Sequence, residues 1–125
     1  MTKFLPHKNK FNQELIVEYF SASVFTFPSS VEAWGLVVNE ALSAGLPVIG
    51  SKEVGACFDL IKDKETGFIA EDMQDFGQMM LTLFNDTELL KRYSENARDL
   101  MKNKWNYDLY NNCLNNAIQK VAQWQ

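Results

Sequence analysis

Apolar and polar residues alternate along this chain in short runs and helical stripes. A short apolar piece, Lys3 to Leu5, stops at Pro6 and leads into the polar loop His7 to Lys10. From about Gln13 to Ser21 the spacing predicts a helix with Asn12 as N-cap and Leu15, Ile16, Tyr19 and Phe20 on its buried face. Val24 to Phe27, Pro47 to Gly50 and Thr66 to Ala70 read as strands. Between the first two, Val37, Val38, Ala41 and Leu42 fall on one face of a helix that runs to Ala44, where Gly45 and Pro47 end it. The C-terminal third is helical. Asp72 caps Met73 to Phe84, Asp86 caps Thr87 to Lys102, and a last helix runs from about Tyr107 to Ala122. Helical spacing assigns the Met79-Met80-Leu81 run and the aromatics Phe76, Phe84 and Tyr93 to the core, and leaves Asn111 to Asn116 on a solvated face. No element is assigned to residues 51–65.

Short strands separated by helices make a parallel sheet, so the expected class is α/β. The expected organisation is one unit over residues 1–125, with an α/β part at 1–70 and a helical part at 71–125.

Composition narrows the function classes. The chain has 125 residues, and 46% hydrophobic and 13% aromatic content argues against disorder. A net charge of -4 supplies no basic footprint, so nucleic acid is not an expected partner. Cys57 and Cys113 lack metal-ligand spacing and are read as reduced thiols of a cytoplasmic protein. No apolar run approaches the ~20 residues of a membrane span, and Met1-Thr2-Lys3 is not followed by a secretory leader pattern. His7, the one histidine, has no nucleophile or orienting carboxylate at a recognisable spacing and reads as a loop residue.

The chemistry concentrates between Phe27 and Ile69. Glu32 and Glu40 are separated by seven residues, with Gly35 and an apolar run between them. This places one carboxylate on the loop after a strand and the other one turn into the following helix. The crevice at the carboxyl end of a parallel strand is where open α/β sheets bind nucleotides. Gly35 permits a tight turn into the helix, and the first amides, about Gly35 to Val38, form a ready anion site suited to a pyrophosphate. Carboxylates accept hydrogen bonds from sugar hydroxyls, so Glu40 suits a ribose diol and Glu32 a transferred sugar. Trp34 either packs at this site or fastens the loop to the core. Lys52 and Glu53 read as an exposed turn.

With these residues the chain resembles the retaining glycosyltransferases of family 4, also called group 1, which have the two-domain GT-B fold. The resemblance rests on the Pro28-Ser29 strand end, the Glu32–Glu40 spacing and the run Glu40-Ala41-Leu42-Ser43-Ala44-Gly45-Leu46-Pro47-Val48-Ile49. Val54-Gly55-Ala56, Asp59-Leu60-Ile61, Thr66-Gly67-Phe68-Ile69 and the tail near Trp105-Asn106-Tyr107 extend it over nearly the whole chain. Two places depart from the family pattern. A usual Gly-Gly is Gly55-Ala56, and a usual Asp-Gly is Asp63-Lys64, changes that look like the exopolysaccharide and capsule branch.

The resemblance implies a partial Rossmann-like donor domain that binds a UDP- or GDP-linked hexose, with no separate cofactor and no metal. Sugar contacts would come from Glu32, Ala33, Trp34 and Gly35, pyrophosphate contacts from the amides of Gly35, Leu36 and Val37, and the ribose contact from Glu40. The chain would cover about the last two-thirds of that domain. The acceptor domain and the basic pair that clamps the pyrophosphate would lie elsewhere, leaving isolated turnover negligible. Val24 to Phe27 would become a sheet edge open to self-association or to re-docking of Lys3 to Leu5. In a full-length context the protein would be cytoplasmic, at the inner face of the membrane. The competing class is a non-catalytic module that completes a separate acceptor-bearing chain. A glycoside hydrolase needs two carboxylates facing one bond at ~5 to 9.5 Å, and a loop and helix pair aimed at different parts of an elongated ligand does not suit that chemistry.

Overall fold

A computed structural model describes residues 12–123. The elements run α1 (Asn12–Ser21), β1 (Phe25–Phe27), α2 (Leu36–Ser43), β2 (Val48–Ser51), α3 (Gly55–Leu60), β3 (Gly67–Ala70), α4 (Met73–Asn85), α5 (Thr87–Lys104) and α6 (Tyr107–Ala122). The expected strand or apolar piece at Lys3 to Leu5, with His7 to Lys10, lies outside the described residues. The three strands form a parallel sheet in the order β1-β2-β3, with Phe25 opposite Val48 and Val48 opposite Gly67. The expected α/β class is what the chain adopts.

The sheet separates two apolar layers, and the pleat explains which residue goes where. Val48 of β2 joins Val38, Ala41 and Leu42 of α2, Cys57 and Leu60 of α3 and Ala97 of α5 on one side, with Phe25, Phe27 and Ile69 packed against them. Ile49, Phe68 and Ala70 point the other way, to Phe76 and Leu83 of α4 and Tyr93 of α5. β2 is buried at every position, as a central parallel strand requires. α5 spans both layers. Capping follows the chemistry of the turns: Asp72 accepts from the amides of Gln74 and Asp75, Asp86 from Leu89, and Asn106 from Leu109. Gly45 adopts φ +81 and ends α2, as its position predicts.

Three expectations need correction. Ile16 and Phe20 are exposed, not buried. In α1 the half-buried residues are Leu15, Glu18 and Tyr19, and Ile16 and Phe20 sit about 100° further round the helix from Leu15 and Tyr19. In α4 the inward stripe is Phe76, Met79 and Leu83, so Met80, Leu81 and Phe84 are exposed on its flanks. Residues 55–60 form a helix where none was assigned. It is short, and its N-cap Val54 offers no side-chain acceptor, so the usual start signal is missing. The i, i+3 recurrence of Val54, Cys57 and Leu60, all fully buried, is the signal that could have revealed it.

Candidate functional site

The site grows from the carboxyl end of β1. The chain leaves Phe27, forms a loop over residues 28–35 and enters α2 at Leu36. A second loop, after β2, holds it in place. The Glu32 amide donates to the Glu53 carbonyl at 3.3 Å, the Gly55 amide to the Glu32 carbonyl at 3.2 Å, and the Ala56 amide to the Trp34 carbonyl at 2.8 Å. The buried Ser51 hydroxyl donates to the Ser29 carbonyl. Gly55 is required for this approach, because a Cβ there would strike the Ala33 carbonyl oxygen.

Gly35 is the N-cap of α2, at φ +95 and ψ 67. A Cβ on it would lie 3.0 Å from both Phe27 and Val54 and 3.3 Å from Cγ of Glu32. Its conformation and its crowding both select glycine. The Val38 amide, expected among the free groups at this end, instead donates to the Gly35 carbonyl at 2.9 Å. The amides of Leu36 and Val37 are therefore the helix's available donors. Leu36 is exposed and Val37 half-buried.

The predicted residues separate into two groups. Glu32, Ala33, Trp34 and Gly35 lie together on the loop. Glu32 is half-buried, and its Oε1 accepts from the Trp34 amide at 3.4 Å. Glu40 is exposed on α2, and its Oε2 accepts from the Tyr19 hydroxyl at 2.8 Å. Trp34 fastens the loop: its Nε1 donates to Asn39 Oδ1 at 3.2 Å, and its ring lies 6.4 Å from that of Trp105. Lys52 is exposed and pairs with Glu71 at 2.9 Å, which agrees with an ordinary turn. Tyr19, Asn39, Ser51 and Trp105 are further parts of this neighbourhood that the spacing does not signal: Tyr19, Ser51 and Trp105 have partners distant in sequence, and Asn39 meets Trp34 across the loop–helix junction.

A groove of about 250 Å³ lies at the opposite end of α2, lined by Tyr19, Phe20, Leu46, Leu90, Lys91 and Arg98 among others. None of residues 28–35 lines it, so it is distinct from the loop crevice. Among the described residues no cluster of His, Cys, Asp and Glu could hold a metal ion, and no helix is long and apolar enough to cross a membrane.

The family model for "Glycosyl transferases group 1" matches residues 1–100. The chain belongs to this family. Among curated group 1 relatives, it is 33% identical over 115 residues to the sulfoquinovosyl transferase SQD2 of Arabidopsis thaliana, covering 89% of this chain and 22% of that protein. It is 35% identical over 89 residues to the capsular polysaccharide biosynthesis glycosyltransferase CapM of Staphylococcus aureus, covering 70% and 23%. The chain thus spans about a fifth to a quarter of these relatives' length. In structure it resembles a sucrose-phosphate synthase from Thermosynechococcus elongatus, with TM-score 0.77, 25% identity and 90% of this chain covered against 29% of that one. It also shares its fold with Anabaena HepE solved in complex with UDP, with TM-score 0.75, 20% identity and coverage of 82% and 29%. These neighbours are GT-B glycosyltransferases, so the expected family and fold both stand.

Proposed function

We propose that this chain is the nucleotide-sugar-binding part of a retaining glycosyltransferase, taking a UDP- or GDP-linked hexose for transfer to a glycan or glycoconjugate acceptor. The observation that carries this reading is a Glu32-bearing loop at the carboxyl end of a parallel strand that leads directly into α2, the helix that bears Glu40. Structures of HepE with UDP and with UDP-glucose support a donor of this class.

In this reading Glu32 accepts from hexose hydroxyls beside Ala33, Trp34 and Gly35. The amides of Gly35, Leu36 and Val37 face the pyrophosphate, and Glu40 accepts from the ribose. The acceptor hydroxyl attacks the anomeric carbon on the face from which the nucleotide leaves. That carbon–oxygen bond breaks, the electron pair stays on the phosphate, and a pyrophosphate oxygen helps take the hydroxyl proton. The chain's own share is to position the donor and to stabilise charge on the leaving phosphate. No metal or further cofactor enters. The activity belongs to the cytoplasm, at the inner face of a membrane.

Isolated turnover is expected to be negligible, because nothing in this reading holds the attacking hydroxyl or excludes water. A second reading makes the chain a non-catalytic module that completes an acceptor-bearing polypeptide. Self-association through the β1 edge belongs to the same reading.

Titration of UDP, GDP and their hexose conjugates against amide shifts tests the donor site. Binding in the millimolar range is expected, ~4 kcal/mol weaker than micromolar binding if a basic clamp supplies a factor of about a thousand. Shifts should centre on Trp34 to Glu40 and fade in Glu40→Ala. Perturbations confined elsewhere would refute the assignment. Transfer that appears only on mixing with a second polypeptide would select the module reading, and concentration-dependent sedimentation would reveal the open edge.

A further inference from the structure

α1 and α2 are joined by a polar contact that donor binding as described above does not require. The Tyr19 hydroxyl donates to Oε2 of Glu40 at 2.8 Å, between residues 21 positions apart. The two partners differ in freedom. Tyr19 is half-buried, packs against the apolar layer under α2 and lies 6.0 Å from the Phe25 ring. Glu40 is exposed on the surface of α2 and would otherwise sample several rotamers. A fixed ring is holding a mobile carboxylate.

The chemistry of the contact is directional. A phenol has one proton to donate, and here it goes to one carboxylate oxygen. A carboxylate offers about four lone-pair sites, so Oε1 and the second lone pair of Oε2 stay open to a ligand. Burial first, and then the carboxylate itself, hold the Tyr19 hydroxyl well above the usual phenol range. It therefore stays protonated, and a donor, at neutral pH.

We propose that Tyr19 is a positioning residue for the nucleotide: it fixes the Glu40 carboxylate so that its open lone pairs meet the two adjacent hydroxyls of a ribose. The proposal rests on the reading that Glu40 receives the ribose. It adds that ribose selectivity depends on a residue of another helix that itself touches no donor atom. An inter-helix tie alone would affect stability and leave the choice of sugar unchanged.

The test uses the full 125-residue chain with UDP and GDP as probes, each beside its 2′,3′-dideoxy counterpart, followed by amide shifts. Tyr19→Phe keeps the ring and removes only the donor. It should weaken binding of the ribonucleotides by about threefold to tenfold and leave the dideoxy forms unchanged. In a Glu40→Ala background the same change should cost nothing further. If Glu40→Ala weakens ribonucleotide binding and Tyr19→Phe does not, the positioning role is overturned while the ribose assignment stands. Equal losses for ribo and dideoxy forms in Tyr19→Phe mark general damage and also overturn it. If the unaltered chain binds neither nucleotide, or does not distinguish ribose from dideoxyribose, the ribose assignment fails and the proposal falls with it.

Discussion

The indole rings of Trp34 and Trp105 lie 6.4 Å apart, centroid to centroid, and are tilted by 48°. Trp34 belongs to the loop between β1 and α2, and Trp105 is the C-cap of α5, just before α6 begins. The pair therefore ties the glutamate-bearing loop to the end of the longest helix. Both rings are partly exposed, at 38% and 41%. A double-mutant cycle of Trp34→Ala and Trp105→Ala, read by urea unfolding, should give a coupling near the lower end of about 0.5 to 1.5 kcal/mol. Additive losses would mean that the rings are neighbours without mutual stabilisation.

Two glycines should respond in opposite senses to the same substitution. A Cβ at Gly67 would fall on the Val48 carbonyl oxygen in the middle of the β2–β3 pairing. At Gly77, in α4, a Cβ would meet nothing within 4 Å. Gly67→Ala should destabilise by more than ~3 kcal/mol, since backbone must move. Gly77→Ala should stabilise by ~0.5 to 1 kcal/mol through helix propensity. Denaturant midpoints for the two variants, taken side by side, check both signs.

Lys64 has φ +61, the left-handed region, and is the one non-glycine residue among those described with a positive φ. Its amide donates to the Gly67 carbonyl at 3.0 Å, closing the turn before β3. The resembled family has glycine at this place. Lys64→Gly relieves backbone strain and costs some unfolded-state entropy, so a net gain of up to ~1 kcal/mol is expected. A fall in thermal midpoint would show that the lysine side chain contributes something the backbone does not.

Cys57 is fully buried, and burial pushes its thiol up to about 11 from an ordinary 9.0. The folded value is raised, so the stabilising contribution is fully present below pH 9 and is lost as pH rises through 11. Stability should decline over that window, with a shallower decline in Cys57→Ala. Cys113 is exposed on α6 and should react with a thiol reagent at pH 8, while Cys57 reacts only after unfolding. Equal labelling rates in the folded chain would contradict the burial.

Local chemistry made much of this fold legible. The three parallel strands follow from apolar runs flanked by turn residues, and the ends of α4 and α5 follow from Asp72 and Asp86, which cap through their own side chains. α2 was readable because its apolar stripe ends at a glycine with a positive φ. The errors occur where a helix surface is wider than the contact it makes. Phe20 and Phe84 satisfy a periodic pattern, but α1 and α4 each bury a narrower stripe than the pattern allows.

The site was legible to a different degree. Glu32, Gly35 and Glu40 announced themselves by residue type and spacing. Their surroundings did not. Tyr19 reaches Glu40 from the preceding helix, Asn39 holds the Trp34 indole, and Trp105 arrives from the far end of α5. None of these pairings leaves a periodic trace. The role of Gly55 is likewise invisible until the Ala33 carbonyl is seen against it.

The ladder between the two loops has a consequence for anyone exchanging parts between such proteins. Backbone bonds from residues 53–56 to residues 32–34 mean that the second loop sets the height at which Glu32 stands over the sheet. A graft of residues 28–35 alone would import a carboxylate without the scaffold that aims it. The smallest transplantable unit is discontinuous: it takes both segments, and the β2 strand that spaces them.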